Sequence, residues 1–141
     1  MSAHTRLRKF ETNQWYKGQQ TLNSHLCMVV KSGDWLAIRG QTGHDLKGDF
    51  HGLGDPAEQT RQSIRNLTTL MAEGGAVFGD ICKVKVWVTD RAYIEPVHAV
   101  LADAFRGIHI VMNTVIINGL ARPYMDMEID IYAIIDEDVP R

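Results

Sequence analysis

Cysteine is scarce in this 141-residue chain: Cys27 and Cys82 are the only two. They form no Cys-x-x-Cys pair and sit at no metal-ligand spacing. That excludes a zinc ribbon, a redox dithiol and the disulfide framework of small secreted domains. Cys82 alternates with Val84, Val86 and Val88, so it is expected to be a buried, reduced thiol. Long apolar runs are also missing, and none approaches the length of a membrane span. The opening stretch "MSAHTRLRKF" has basic residues but no apolar core, so no signal peptide is expected and the cytoplasm is the expected compartment. Charge of one sign is lacking as well: 15 Lys and Arg face 17 Asp and Glu, a net −2. With no basic footprint and no basic-aromatic stripe, no nucleic-acid partner is expected. No Ser-His-Asp arrangement and no phosphate-cradling glycine motif is evident.

What is present reads as one domain over residues 1–141. A hydrophobic fraction of 45% suffices for a real core. The first 25 residues are polar and suggest a short strand and a loop. Residues 26–30 are apolar, "KSGD" (31–34) supplies turn residues, and "WLAIRG" (35–40) is a second strand, which together predict a β-hairpin. Residues 40–54 hold five glycines and no periodicity, a long loop of the kind that carries function. A helix is then expected with Asp55 as N-cap, Pro56 in its first turn and Glu58 at capping-box spacing. Ala57, Thr60, Ile64, Leu67 and Met71 line one face, and Gly74-Gly75 ends it. "ICKVKVWV" (81–88) alternates as a strand, with Ile81, Lys83, Lys85 and Trp87 opposite Cys82 and the valines. A second helix is expected over about Glu95–Phe105, burying Val97, Val100, Leu101, Ala104 and Phe105.

Residues 110–117 predict a strand apolar on both faces, so both faces should be covered. Residues 125–135 alternate again. Met125, Met127, Ile129, Ile131, Ala133 and Ile135 share one face, and Asp126, Glu128, Asp130 and Tyr132 the other. The lysine face of 81–88 and this acidic face would be neighbours if the two strands pair. Two helices can cover only one side of such a sheet. The fold expected is therefore α+β in two layers, a mixed sheet of about six strands with two helices on one face. Its second, apolar face predicts burial against another copy of the chain.

Two polar residues stand out against these apolar strands. Asn113 interrupts "VMNTVIIN" (111–118); its amide is either a satisfied structural tie or one wall of a binding site. Glu128 is either a carboxylate that manages a water or an exposed partner for Lys83 or Lys85. His44, Asp45, Asp49 and His51 are metal-ligand types in the glycine-rich loop, yet their spacing fits no tight motif, and no metal is expected.

Four stretches carry a resemblance: "GQTG" (40–43) after the hairpin, "QTRQSIRNLTTLMAEGG" (59–75), "VKVWVTD" (84–90) and "NGLARPYMDMEIDIYAII" (118–135). In that order and spacing they resemble the RidA/YjgF family of imine and enamine deaminases, also known as endoribonuclease L-PSP. The resemblance covers about residues 24–135 and leaves 1–23 as an N-terminal extension. It implies a chorismate mutase-like fold, a homotrimer and ligand clefts between subunits. It also implies water addition to a C=N bond, with a glutamate positioning the water and an arginine holding a carboxylate. Glu128 matches that glutamate, and Gly40-Gln41 also match. The arginine position falls on Asn113, the pocket tyrosine on Leu26, and the serine before Gly-Gln on Arg39. Arg39 and Arg122 are the candidates to restore the missing charge.

The resemblance thus implies a deaminase-like hydrolase without cofactor. Glu128 would be catalytic, and Asn113, Arg39, Arg122, Leu26 and Gln41 would bind substrate. That substrate would be a reactive imine, enamine or related small metabolite, not the usual small 2-imino acid. The alternative is a trimeric metabolite-binding protein without turnover. A ribonuclease or translation inhibitor is the least favoured reading, on the net charge.

Overall fold

Two residues, Gly33 and Asp34, reverse the chain between β2 (His25–Ser32) and β3 (Trp35–Gln41). Gly33 adopts φ +59°, which a tight two-residue hairpin favours and glycine supplies without strain. This hairpin lies within a six-stranded sheet in a computed structural model that describes residues 4–141. The other strands are β1 (His4–Glu11), β4 (Ile81–Val88), β5 (Val111–Ile116) and β6 (Met127–Ile134). Their order across the sheet is β1-β2-β3-β6-β4-β5. All neighbours are antiparallel except the parallel pair β4 and β5. Beyond the expected strand in the N-terminal segment, one helical turn forms, α1 (Thr12–Trp15).

The long helices are α2 (Pro56–Glu73) and α3 (Ile94–Ala104), each within one residue of its expected limits at either end, and Gly74 caps the C-terminal end of α2 as expected. Asp55 caps α2 by accepting the Glu58 backbone N–H at 3.1 Å, and Pro56 occupies its first turn. Leu67, Leu70 and Met71 of α2 and Val97 and Leu101 of α3 bury against Val84, Val86, Val88, Met127, Ile129, Ile131 and Ala133 of the sheet. Both helices therefore pack on one sheet face, as the α+β pattern predicts. A second inward stripe on α2 is polar: Gln59, Gln62, Ser63 and Asn66 are also buried. Apolar periodicity does not reveal it.

Two expectations fail. Cys82 is an exposed free thiol, not a buried one. The pairing of β4 with β6 slips between Ile81 and Lys83, and this β-bulge puts Ile81 into the core and turns Cys82 outward. Strand β5 is not covered on both faces within the chain. It is an edge strand, and Val111, Met112 and Ile116 remain exposed. Asn113, between them, is exposed too, so the cost of burying its amide does not arise in the single chain.

The expected adjacency of lysine and acidic faces does hold, since Lys85 pairs across β4 and β6 with Asp130. That uncovered face also carries Trp35 and Tyr132, stacked with ring centroids 6.1 Å apart and planes 12° from parallel.

Candidate functional site

Residues two apart on a strand share a face, so β6 presents Glu128 and Asp130 together. They converge on Gly40 of β3. A Cβ there would lie 2.6 Å from Asp130 Oδ1 and 2.7 Å from the Glu128 carboxyl carbon, so only glycine lets the two carboxylates sit over this backbone. Trp87 of β4 faces Glu128 in the register, and its Nε1 donates to Asp130 Oδ2 at 3.1 Å. Lys85 holds its ammonium 4.4 Å from the Trp87 ring. Burial and the neighbouring Asp130 charge push the Glu128 carboxyl up to about 7, and Arg39 only partly offsets them. Asp130 keeps an indole donor, whereas Glu128 is left partly desolvated and near its titration midpoint at neutral pH. A carboxyl in that condition can take or give a proton at physiological pH.

Of the candidate residues, Arg39 is near this pair and acts on Glu128 electrostatically. Its guanidinium lies over the Phe10 and Trp15 rings, 5.2 and 5.8 Å from their centroids. Gln41 is buried: it donates to the Arg39 carbonyl at 2.7 Å and accepts from Asn66 Nδ2 at 3.1 Å, tying the strand end to α2. Asn113 stands opposite Lys85 on β5, in the row of Asp130. Two strand spacings separate it from β6, roughly 10 Å. Leu26 is exposed on β2, opposite Phe10 of β1. Together with Phe10, Lys9 and His25 it lines a depression of about 640 Å³. Arg122 lies elsewhere, its guanidinium 4.3 Å above the Tyr16 ring and its Nη2 donating to Gln20 Oε1 at 3.2 Å. One chain therefore gathers Glu128, Gly40 and Arg39, and leaves Asn113, Leu26 and Arg122 apart from the two carboxylates.

The glycine-rich loop is held by its own polar groups. Asp45 accepts from the Lys47 and Asp49 backbone N–H groups, and its Oδ2 lies 2.7 Å from His51 Nε2. Asn66 and Ser63 of α2 bond the His44 and Thr42 carbonyls, fastening the loop to the helix. Asp130 and Trp87 complete the site, although sequence reasoning did not single them out. Their signal was the i, i+2 spacing with Glu128 and the alternation of β4.

The family model described as Endoribonuclease L-PSP matches residues 20–135. The chain belongs to this family, known also as RidA/YjgF. A RutC family protein of Pyrococcus horikoshii is 32% identical over 77 residues, 55% of this chain. The match spans 61% of that relative's length. An uncharacterized protein of Streptomyces coelicolor is 24% identical over 74% of this chain and 78% of its own length. Among solved structures, a putative endoribonuclease of Thermotoga maritima superposes with a TM-score of 0.75 at 22% identity, covering 94% of this chain and 98% of that one. A YjgF-family protein of Mycobacterium tuberculosis gives 0.73 at 24% identity, covering 94% and 99%. These likenesses establish the RidA/YjgF fold, with its mixed six-stranded sheet and two main helices. No helix among the described residues is long and apolar enough to cross a membrane.

Proposed function

We propose that this RidA/YjgF-family chain hydrolyses a reactive imine, enamine or related small metabolite in clefts between the subunits of a homotrimer. The observation that carries this is Glu128: a partly desolvated carboxyl, poised near 7, beside Asp130 over a glycine backbone. In this reaction the water oxygen bonds to the C=N carbon while Glu128 takes the water's proton. The nitrogen then gains protons and leaves as ammonia, and the carbon becomes a carbonyl. Asn113 offers an amide that can donate and accept at once. It cannot neutralise a carboxylate as a bidentate arginine does, so the substrate is not a small 2-imino acid. The separation of Asn113 from Glu128 within one chain supports a cleft in which they come from different subunits. The uncovered face with Trp35 and Tyr132, and the exposed edge β5, supply the apolar surface for that assembly.

The departure at Asn113 and Leu26 favours a second reading, a trimer that binds a metabolite without turnover. One experiment separates the two. Imines without a carboxylate are generated in situ by a flavin amine oxidase from primary amines with neutral and amide-bearing side chains, and ammonia release above the uncatalysed rate is followed. Turnover is expected to rise through about pH 7 as Glu128 ionises. Glu128→Gln is expected to lower it on the order of 100-fold and to remove that limb. An unchanged rate in the variant overturns the assigned mechanism. Saturable thermal stabilisation by a metabolite without any turnover selects the binding reading.

A further inference from the structure

Glu128 and Asp130 differ in how their oxygens are occupied. Asp130 Oδ2 accepts the Trp87 indole N–H at 3.1 Å. Its Oδ1 turns toward Gly40, 2.6 Å from where a Cβ on that glycine would stand, and has no donor among the described residues. Glu128 Oε2 lies 2.8 Å from the same point, and that carboxylate has no donor among the described residues either. Three carboxylate oxygens are thus left open, two of them converging on one spot of the uncovered sheet face. Half-buried acceptors in that state call for donors.

The chain's own cations are directed elsewhere. From β3, the Arg39 guanidinium lies over the Phe10 and Trp15 rings, 5.2 and 5.8 Å from their centroids. From β4, the Lys85 ammonium lies 4.4 Å from the Trp87 ring centroid, and Lys83 stands one row further along, opposite Tyr132. Among the described residues none of these three makes an ion pair with either carboxylate. From β5, the row ends in Asn113, which carries no charge. The spot is therefore negative. That shows on Glu128, which burial first and then the Asp130 charge hold up to about 7 against Arg39. The environment divides the pair: Asp130 supplies a fixed charge, and Glu128 a site for a moving proton.

We propose that Asp130 is the counter-ion that binds the protonated C=N nitrogen of the substrate. This rests on the hydrolysis proposed for Glu128 and divides its work between two residues. Asp130 Oδ1 accepts an N–H of the iminium and keeps the C=N bond in the protonated form that water attacks. The water oxygen bonds to the carbon, the water's proton passes to Glu128, and the C=N electron pair moves onto nitrogen. Glu128 returns that proton to the nitrogen. The C–N bond then breaks, ammonia leaves, and the hydroxyl on carbon releases its proton to water as it becomes the carbonyl. Trp87 is a positioning residue, since its indole holds Oδ2 and leaves Oδ1 turned toward the substrate. A 2-imino acid would bring a third carboxylate to this pair and be repelled. The reaction that must supply such a substrate is oxidation of a primary amine, not of an amino acid.

The test uses 3-methylbutanamidine, a stable planar cation shaped like the iminium, against 3-methylbutanoate, its anionic isostere. In the 15N-labelled full-length protein the three tryptophans give three indole N–H signals, and Trp87→Phe identifies that of Trp87. That N–H sits on Asp130, so it reports what Asp130 binds. The amidine is expected to move the Trp87 signal saturably, with a Kd of about 1 mM or below, and the carboxylate to leave it in place. Asp130→Asn is expected to weaken amidine binding about tenfold in calorimetry. Kinetics give a second reading. Imines made from 3-methylbutylamine by a flavin amine oxidase and from leucine by an amino-acid oxidase differ only in a carboxylate. The wild type is expected to favour the first about tenfold in kcat/KM, and Asp130→Asn to bring that ratio close to one. An unmoved Trp87 signal, an equal response to the carboxylate, or a preference that survives Asp130→Asn overturns the proposal. The wild-type titration decides the matter even if the variant is unstable. Amidine binding without turnover of any imine rejects the hydrolysis and keeps Asp130 as the cation-binding group. Glu128-dependent turnover without the preference rejects the counter-ion alone.

Discussion

Gly40 and His44 lie four residues apart, and each is held by what surrounds it. At Gly40 the constraint is steric. Gly40→Ala would push a methyl against the Asp130 and Glu128 carboxylates, which swing aside at the ends of their side chains, so turnover is expected to fall while the urea unfolding midpoint changes little. His44 and Glu128 titrate in opposite senses. Folding raises the Glu128 carboxyl from 4.5 to about 7. Its contribution to stability is full below the unfolded value and is lost as pH rises through 7. Folding lowers His44 from 6.5 to about 4, so its contribution is full above 6.5 and is lost as pH falls toward 4. The two slopes largely cancel in the wild type between pH 4.5 and 6.5. Relative to wild type, Glu128→Gln is expected to lose stability on acidification across this window, and His44→Gln to gain it. Each change is on the order of 3 kcal/mol. Denaturant unfolding at several pH values reads both, and parallel profiles for the three proteins would refute the linkage. The sequence showed Glu128 and His44 as residues of interest, but not the burial and neighbours that shift them.

At the scale of elements, local chemistry set most of the limits. The N-cap of α2 was legible because Asp55, Pro56 and Glu58 act on their own backbone. The polar stripe Gln59, Gln62, Ser63 and Asn66 was not legible as buried, because its partners are loop carbonyls and side chains far along the chain. Asp126, which bonds Gln59 in both directions, is 67 residues away. The bulge that exposes Cys82 is likewise decided by the pairing with β6. Just before β4, the Asp80 side chain is fully buried and accepts from the Val77 and Asp136 backbone N–H groups and from Arg141. Asp80→Ala strips the partner from all three donors. It is expected to cost about 3 kcal/mol and to loosen the C-terminal segment, read by amide exchange at Asp136. Rapid exchange limited to Arg141, with stability intact, would contradict this.

At the scale of the molecule, the covered and uncovered sheet faces differ in what they still require. The helical face is complete, with Val84, Val86, Ile129 and Ile131 fully buried. The other face keeps Trp35 and Tyr132 about two-fifths exposed, and β5 ends the sheet with an unpaired edge. Light scattering is expected to report three times the 15.9 kDa chain mass. Tyr132→Lys, placed at the stacked pair, is expected to shift that mass toward one chain while the circular dichroism stays unchanged. A monomeric wild type would remove the inter-subunit cleft from the proposed mechanism.

The sequence by itself determined the alternation of strands and helices, the α+β class, the hairpin, the cap of α2 and the face on which Glu128 lies. These follow from period, turn chemistry and backbone capping, which act over a few residues. The motifs at Gly40-Gln41 and Glu128 sufficed for the family resemblance. Only the tertiary structure decided that Cys82 turns outward, that Asp130 and Trp87 join Glu128, and that Arg39 and Arg122 stack on the aromatic rings around His44. Those outcomes depend on register between strands distant in the chain and on which charges burial brings together. Neither is encoded in local spacing.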